Sequence, residues 1–107
     1  MTVKHIVLAK FKPSLDAEAR QNAFETSKGF LESISLVKSY TLGPPIETAV
    51  SHTHGWDFAM IADFEDLDAF NAYLEHELHL AMAKAIEPAA ADMLSYQIDV
   101  SPCLSKS

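Results

Sequence analysis

Val3-Lys-His-Ile-Val-Leu-Ala-Lys-Phe11 is the stretch that decides the fold. One parity of this stretch is mostly apolar and carries Val3, His5, Val7, Ala9 and Phe11. The other parity places Ile6 and Leu8 among lysines. At a period of two residues, this pattern predicts a β-strand with one apolar face and a second face that is apolar only at its centre. Such a strand needs at least partial cover on both faces.

The segment after this strand predicts a long helix. Pro13 ends the strand, and Ser14 is positioned to cap a helix whose first turn carries Asp16 and Glu18. These acidic residues suit the positive end of a helix dipole. Apolar residues then recur at helical spacing, which predicts an amphipathic helix from Leu15 to about Ile34.

The remaining elements follow from similar patterns. Residues from Trp56 to Phe64 alternate between two faces and predict a strand, and Asp66 is a candidate cap for the helix after it. A loop of about ten residues precedes this strand and contains His52 and His54. The other predicted elements are strands Val37–Leu42 and Met93–Val100, a short helix with Leu67, Phe70, Tyr73 and Leu74, and a helix from about Leu80 to Glu87, with one more turn at residues 89–91.

The order strand, helix, strand, strand, helix, strand predicts an α+β, ferredoxin-like βαββαβ fold. Helices then cover one face of a four-stranded antiparallel sheet. The other face lacks a cover within the chain, and it would present Ile6, Leu8, Ala59 and Ile61. We therefore expect a homodimer in which two sheets close face to face into an α/β barrel.

Composition narrows the functional classes. The chain has 107 residues, of which 49% are hydrophobic, and 8 basic residues stand against 15 acidic ones for a net charge of -7. This charge balance argues against a nucleic-acid or membrane partner. We expect one domain over residues 1–100, a polar tail over 101–107, and a cytoplasmic location, because no signal peptide or membrane span is recognisable. Cys103, the single cysteine, is expected to be an incidental thiol.

Histidine and tyrosine residues indicate the chemistry. The run Tyr73-Leu-Glu-His-Glu-Leu-His79 places two imidazoles and a phenol within seven residues, and His5 lies on the strand face expected to meet the helices. Histidine exchanges protons near neutral pH, and tyrosine assists by hydrogen bonding. These residue types favour a proton-transfer site. The alternative is that His5 is a hydrogen-bonded core residue and His79 a helix cap or solvated turn residue.

Three blocks, Val3–Lys12, Gly55–Asp66 and Tyr73–His79, resemble the stress-responsive A/B barrel (Dabb) family. This resemblance implies the dimeric α/β barrel over residues 1 to about 100. The family includes stress proteins and a cofactor-free polyketide cyclase. Similarity to that cyclase implies that Tyr73 and His79 form an acid–base pair and that His5 belongs to their pocket.

Three positions depart from the family pattern. Phe58 stands where the cyclase has a pocket histidine, and Ser27 stands where it has a pocket tyrosine. Both changes imply a different substrate. Glu77 replaces a frequent proline and leaves the turn before the last helix less constrained.

Other residues complete the expected site. The candidate substrate-binding residues are Phe24, Ser27, Phe58, His76 and Met82. A metal could in principle bind at His76 and His79 with a neighbouring glutamate, or at the His52/His54 pair, but both patterns are weak. We expect neither a metal nor a cofactor.

The sequence therefore favours a small cofactor-independent cyclase or lyase of specialised metabolism that acts on an apolar, oxygenated, polyketide-like substrate. In this mechanism His79 removes a proton, Tyr73 orients His79 or donates to the developing oxyanion, and His5 helps to place the carbonyl oxygen. One alternative is a non-catalytic, stress-responsive or ligand-binding dimer. A second is a cofactor-free monooxygenase of the antibiotic-biosynthesis type. An open cavity at His5, Tyr73 and His79 would favour an enzyme.

Overall fold

The fold is seen in a computed structural model that describes residues 2–47 and 52–100. Part of the predicted loop before the third strand and the predicted tail with Cys103 lie outside the described residues. The strands are β1 (Val3–Phe11), β2 (Ser39–Gly43), β3 (Phe58–Phe64) and β4 (Ala90–Asp99). The helices are α1 (Ala17–Ser33), α2 (Leu67–Glu75) and α3 (Glu77–Ile86), and a 3₁₀ turn (Glu87–Ala89) follows α3.

The four strands form one antiparallel sheet in the order β2-β3-β1-β4. This arrangement confirms the α+β, ferredoxin-like fold predicted from the element order. Strand β1 is central, and its pairing places His5 opposite Ala62 of β3 and Gln97 of β4. The register of β1 against β4 shifts between Lys10 and Phe11, as in a β-bulge.

Helix α1 starts later than predicted. Asp16, not Ser14, is its N-cap, because the Asp16 carboxylate accepts a hydrogen bond of 2.8 Å from the backbone N–H of Ala19. The prediction of Ser14 as the cap was wrong, since Leu15 still belongs to a turn that its N–H closes onto the carbonyl of Lys12. The Asp66 cap of α2 is confirmed by its bond of 2.8 Å from the N–H of Ala69.

The boundary between α2 and α3 also differs from the prediction. Helix α3 begins at Glu77 rather than at Leu80, so His79 lies inside its first turns and not in a turn before it. His76 has extended backbone angles, ends α2 and caps α3. Tyr73 and His76 have the three-residue spacing that places two side chains on one side of a helix, but the extended backbone of His76 interrupts the helix at that point.

The strand ends moved as well. Strand β2 begins at Ser39 because Val37 closes a turn onto Ile34, and β3 begins at Phe58 because Trp56 closes a turn onto Thr53. Strand β4 starts earlier than predicted, at Ala90, directly after the 3₁₀ turn. Residues of β4 alternate between the two sides of the sheet: Gln97 pairs with His5 on the helix side, and Tyr96 pairs with Ile6 on the open side.

The two faces of the sheet differ in cover. The helices bury the face that carries Val3, His5 and Phe11, and the core lies there. On the open face, Leu94, Tyr96 and Ile98 of β4 stay exposed, with Tyr96 at 60%. No helix within residues 2–47 and 52–100 has the length and apolarity needed to cross a membrane.

Candidate active site

Strand β1 places His5 in the layer between sheet and helices. His5 is 4% exposed, and its ring lies 5.0 Å from the ring of Phe70 and 6.0 Å from that of Tyr73, measured between centroids. Its Nδ1 atom is 2.7 Å from Oε1 of Gln97 on the neighbouring strand. Because an amide oxygen only accepts, this contact requires a proton on Nδ1 and leaves a lone pair on Nε2 when the ring is neutral.

The break between α2 and α3 orients two further histidines. A helix end leaves its last carbonyls and its first N–H groups without partners inside the helix. At this break, His76 Nδ1 accepts the N–H of Leu78 at 3.0 Å, and His79 Nδ1 donates to the carbonyl of Leu74 at 3.1 Å. The Nδ1 atom of His76 is therefore a hydrogen-bond acceptor, whereas the Nδ1 atom of His79 is a donor. His79, like His5, keeps its Nε2 lone pair free of these bonds.

Tyr73 lies against His79 and has a hydroxyl without a partner. The ring centroids of Tyr73 and His79 are 4.4 Å apart. The Tyr73 side chain is completely buried, and its hydroxyl oxygen makes no hydrogen bond to any described residue. A buried polar group left unpaired costs about 1–3 kcal/mol, so such groups are uncommon outside functional sites.

These three side chains share one cavity of about 80 Å³. Its wall is mostly apolar and is supplied by both sheet and helices. The lining residues are His5, Val7, Ser27, Phe58, Met60, Tyr73, His79, Met82, Ala83, Ile86 and Met93. Ala83 of α3 and Met93 of β4 are exposed, which places the mouth of the cavity between these two elements.

The candidate substrate-binding residues take three different positions. Ser27, Phe58 and Met82 line the cavity. Phe24 stacks on Phe58 at 4.9 Å between centroids and supports the wall from behind. His76 caps α3 and is not among the lining residues.

Sequence reasoning missed the contribution of β4. Gln97 bonds His5, and Met93 borders the mouth, although neither belonged to the predicted site. The available signal was parity, since both residues occupy the strand positions opposite to Leu94, Tyr96 and Ile98. Parity alone left open which residue of β4 would stand beside His5, because this depends on the register between β1 and β4.

The environment shifts two ionisation equilibria in the cavity. Burial lowers the pKa of His5 below its ordinary value of 6.5; the Gln97 hydrogen bond partly offsets this fall, and the charge of His79 adds to it. Burial raises the pKa of Tyr73 to about 12. At neutral pH, His5 is therefore a neutral acceptor and Tyr73 a protonated donor.

The arrangement can move a proton between a ligand and an imidazole. Two Nε2 lone pairs, on His5 and His79, accept, while the Tyr73 hydroxyl donates. Ser27 donates its own hydroxyl proton to the carbonyl of Ala23 at 2.9 Å, so only its oxygen lone pairs remain for a ligand. Within the part of the chain that the structure describes, the cavity therefore offers a ligand more hydrogen-bond acceptors than donors.

The described residues contain no group of three or more His, Cys, Asp or Glu side chains that could hold a metal ion. His52 and His54 are exposed in the loop before β3. The other weak candidate is the pair His76 and His79. The Nδ1 atom of His76 accepts the N–H of Leu78 and that of His79 donates to the carbonyl of Leu74, so each Nδ1 atom is already used in a hydrogen bond.

Comparison with known proteins identifies the family. The model of the Dabb family, the stress responsive A/B barrel domain, matches residues 3–100. The chain belongs to the Dabb family. The resemblance that the three sequence blocks suggested is therefore confirmed. No curated protein sequence matches this Dabb chain.

Solved structures share the fold. A dimeric ferredoxin-like protein of unknown function from Thermobifida fusca is 26% identical, with a TM-score of 0.80 over 94% of this chain and 92% of its own. An Arabidopsis thaliana protein has 21% identity and a TM-score of 0.81, covering 94% and 96%. A hydroxynitrile lyase from Passiflora edulis has 21% identity and a TM-score of 0.80, covering 94% and 95%. At 21% identity, the likeness establishes the fold alone.

Proposed function

We propose that this Dabb protein is a cofactor-independent lyase or cyclase that uses histidine–tyrosine acid–base catalysis. The observation that carries the proposal is the unpartnered, fully buried hydroxyl of Tyr73, beside His79, in a cavity that also reaches His5. An acceptor atom of a bound substrate would supply the missing partner of this hydroxyl. A buried polar group without a hydrogen-bond partner, next to a cavity, is typical of functional sites, whereas the polar groups of a protein core are normally paired.

His79 is the proposed base. Its Nδ1–H bond to Leu74 holds the ring and leaves Nε2 to take a proton. Tyr73 keeps its proton and donates to the oxygen on which negative charge develops. Because Leu74 already orients His79, Tyr73 acts on the substrate rather than on the base.

His5 takes a role that differs from the sequence expectation. With Nδ1–H bonded to Gln97, its neutral ring offers an acceptor at Nε2. An acceptor binds a substrate hydroxyl or enol proton, whereas placing a carbonyl oxygen would need a donor. We therefore assign His5 to a hydroxyl of the substrate.

The same groups serve bond formation and bond cleavage. In a cyclase, His79 takes a C–H proton next to a carbonyl, and the carbanion attacks a second carbonyl of the same molecule, which becomes an alkoxide and is protonated. In a lyase, His79 takes a hydroxyl proton, the C–C bond breaks, and the released carbanion takes a proton back. General acid–base catalysis supplies roughly 10²- to 10⁴-fold, so the leaving or attacking carbanion must be stabilised by the substrate itself.

The size of the cavity narrows the substrate. Its volume of about 80 Å³ is well below the roughly 150 Å³ of a cavity that holds benzene. Only a small reacting group fits inside, and an apolar remainder would extend past Ala83 and Met93 at the mouth. A hydroxynitrile is one substrate of this kind, and the Passiflora edulis protein that shares this fold is a hydroxynitrile lyase.

The test uses the intact protein and a panel of α-hydroxynitriles, β-hydroxy ketones and 1,3-dicarbonyl compounds. Carbonyl release measures cleavage, and deuterium uptake from D₂O measures C–H proton removal. We expect turnover of at least one class, and we expect His79→Ala and Tyr73→Phe each to lower kcat by about 10²- to 10⁴-fold. His54→Asn is the matched control, because His54 is exposed and asparagine tolerates its positive φ of 52°.

Full activity of His79→Ala would exclude the proposed mechanism. Saturable binding of panel compounds without turnover would instead support the second candidate, a non-catalytic ligand-binding dimer. The mostly apolar wall of the cavity favours the binding of a ligand, and the exposed apolar surface of the open sheet face favours a dimer.

We also propose that the chain forms a homodimer through the open sheet face. A second copy would cover the apolar side chains of this face, which are Ile6 and Leu8 of β1, Ala59 and Ile61 of β3, and the exposed Leu94, Tyr96 and Ile98 of β4. Several solved structures that share this fold are described as dimeric. Burial of this apolar surface would stabilise the pair by roughly 25 cal/mol per Å².

Light scattering tests the dimer. We expect twice the monomer mass for the unmodified protein and the monomer mass for Leu94→Asp. Leu67→Asp is the control, because Leu67 is also exposed, at 48% against 42% for Leu94, but lies on α2, away from the open face. A stable monomer at micromolar concentration for the unmodified protein would contradict the proposal.

A further inference from the structure

A hydrogen-bonded chain of side chains reaches His5 from the edge strand. Gln97 of β4 stands directly opposite His5 of β1 in the antiparallel register. The Oε1 atom of Gln97 is 2.7 Å from His5 Nδ1, and the hydroxyl of Ser95 donates to the same oxygen at 2.9 Å. The amide oxygen has two lone pairs, so it can accept from both neighbours at once.

We propose that Gln97, held by Ser95, is a positioning residue that fixes His5 in the Nδ1–H tautomer and directs its Nε2 lone pair to the substrate. The role of His5 toward a substrate rests on the proposed function. The tautomer of His5 does not, because it exists in the protein without a ligand. The two can therefore be tested separately.

Position and residue type both support a positioning role. The strand that carries Gln97 is exposed along most of its length, so Gln97 contributes little to the core. Gln97 is itself exposed, so core packing does not account for its hydrogen bond to the buried His5. An amide fixes the tautomer without adding a negative charge that would favour the imidazolium.

The groups around His5 make the neutrality of Gln97 important. Tyr73 faces His5 from α2, and His79 acts on it from α3. From β3 the neighbours are Ala62 and Phe64, neither of which titrates, and α1 contributes only Ser27 to the cavity. On β4, Asp99 lies two residues beyond Gln97 and opposite Val3. Gln97 is thus the direct partner of His5 Nδ1, and a charge there would act at hydrogen-bond distance.

Nitrogen NMR of the intact, histidine-labelled protein tests the proposal, since the protonated and bare nitrogens of neutral imidazole resonate far apart. We expect His5 to be Nδ1–H in the unmodified protein and to shift toward the Nε2–H tautomer in Gln97→Leu. Ser95→Ala should produce a smaller change in the same direction. Gln97→Glu should retain Nδ1–H and raise the titration midpoint of His5 by about one pH unit or more.

Asn71→Asp is the matched control for the added charge, because Asn71 is exposed on α2. It should leave the tautomer of His5 and its midpoint unchanged. A His5 ring that is Nε2–H in the unmodified protein, or one whose tautomer is the same in Gln97→Leu, would overturn the proposal. A folded protein with normal proton shifts elsewhere would show that lost structure is not the cause.

The activity readout distinguishes this inference from the proposed function. On a substrate turned over by the unmodified protein, Gln97→Leu should lower kcat about tenfold, as expected for a residue that orients a functional histidine. His5 must be neutral to accept a hydrogen bond from the substrate, so the rate should fall at acid pH as His5 becomes protonated. Gln97→Glu should move this fall to higher pH. Activity that is unchanged in both variants would overturn the role in positioning even if NMR shows the tautomer change. Absence of turnover on every substrate would count against the proposed function, while the NMR result would still decide whether Gln97 sets the tautomer.

Discussion

Two clusters of aromatic rings lie in the same layer between the sheet and the helices, and they differ in whether their side chains carry polar atoms. The phenylalanine cluster consists of Phe11, Phe24 and Phe58, whose centroids are 4.9 to 6.1 Å apart. The histidine cluster consists of His5, Phe64, Phe70, Tyr73 and His79, with spacings of 4.4 to 6.4 Å. The first cluster contains no polar side-chain atom, and the second contains a phenol and two imidazoles.

The difference shows where stability and function separate in this chain. Rings without polar atoms gain from contact alone, in edge-to-face and stacked geometry. In the histidine cluster, each imidazole uses Nδ1 to bind a protein partner, but the Tyr73 hydroxyl lacks one and a cavity remains beside it. The phenylalanine cluster therefore contributes packing and, through Phe58, an apolar part of the cavity wall, whereas the histidine cluster contributes the polar groups that a ligand can bind.

The largest expected effect on stability is in the phenylalanine cluster. Phe11→Ala should lower the free energy of unfolding by about 3–5 kcal/mol, because it removes a buried ring and leaves a cavity. Denaturant unfolding at fixed protein concentration measures this value. Leu67→Ala, at an exposed position, should cost far less. Equal losses in the two variants would show that the phenylalanine cluster is not close-packed.

Tyr73→Phe should have the opposite effect on stability. It keeps the ring and removes the unpartnered hydroxyl, so the free energy of unfolding should rise by up to about 1–3 kcal/mol while activity falls. Denaturant unfolding and the turnover assay are run on the same preparation. A clear loss of stability would mean that the hydroxyl has a partner in solution and would weaken the ligand argument.

His5 should make stability depend on pH. Burial lowers its pKa in the folded protein, so the unfolded chain takes up the proton first as the pH falls. Stability should therefore be complete above about pH 6.5 and should decrease below it, by about 1.4 kcal/mol for each pH unit by which the pKa is lowered. Unfolding at several pH values measures this slope. In His5→Gln the slope should shrink, and an unchanged slope would assign it to other groups.

The smallest expected effect is at the break that orients the histidine cluster. His76→Ala removes the cap of α3 and should cost about 0.5–2 kcal/mol, and His76→Asn should restore most of it because asparagine also caps helices. Thermal unfolding compares the three proteins. If asparagine does not restore stability, His76 has a role other than capping.

Local patterns in the sequence predicted much of this structure. Alternation in residues 3–11 placed His5 on the covered face, because the side chains of a strand alternate between its two faces. Asp66 was predicted correctly as a helix cap, whereas Ser14 was not. Ser14 and Asp16 are both residue types that cap helices, and only the structure shows that Asp16 is the one that reaches the first free N–H groups of α1. The order of elements was sufficient for the ferredoxin-like fold.

By itself, the sequence determined the strands, the helices, the family and the residue types that could exchange a proton. The strands, the helices and their order follow from periodicity and from short-range spacing along the chain, whereas the family follows from the resemblance of three sequence blocks to the Dabb pattern. Only the tertiary structure decided that Gln97 meets His5, that Leu74 orients His79, and that Tyr73 is left unpaired beside a cavity. The reason is physical: strand register and the volume left between the layers depend on residues that are distant in sequence but packed together in space. The orientation of His79 depends on the residue at which α2 ends and α3 begins, which helical periodicity alone does not fix.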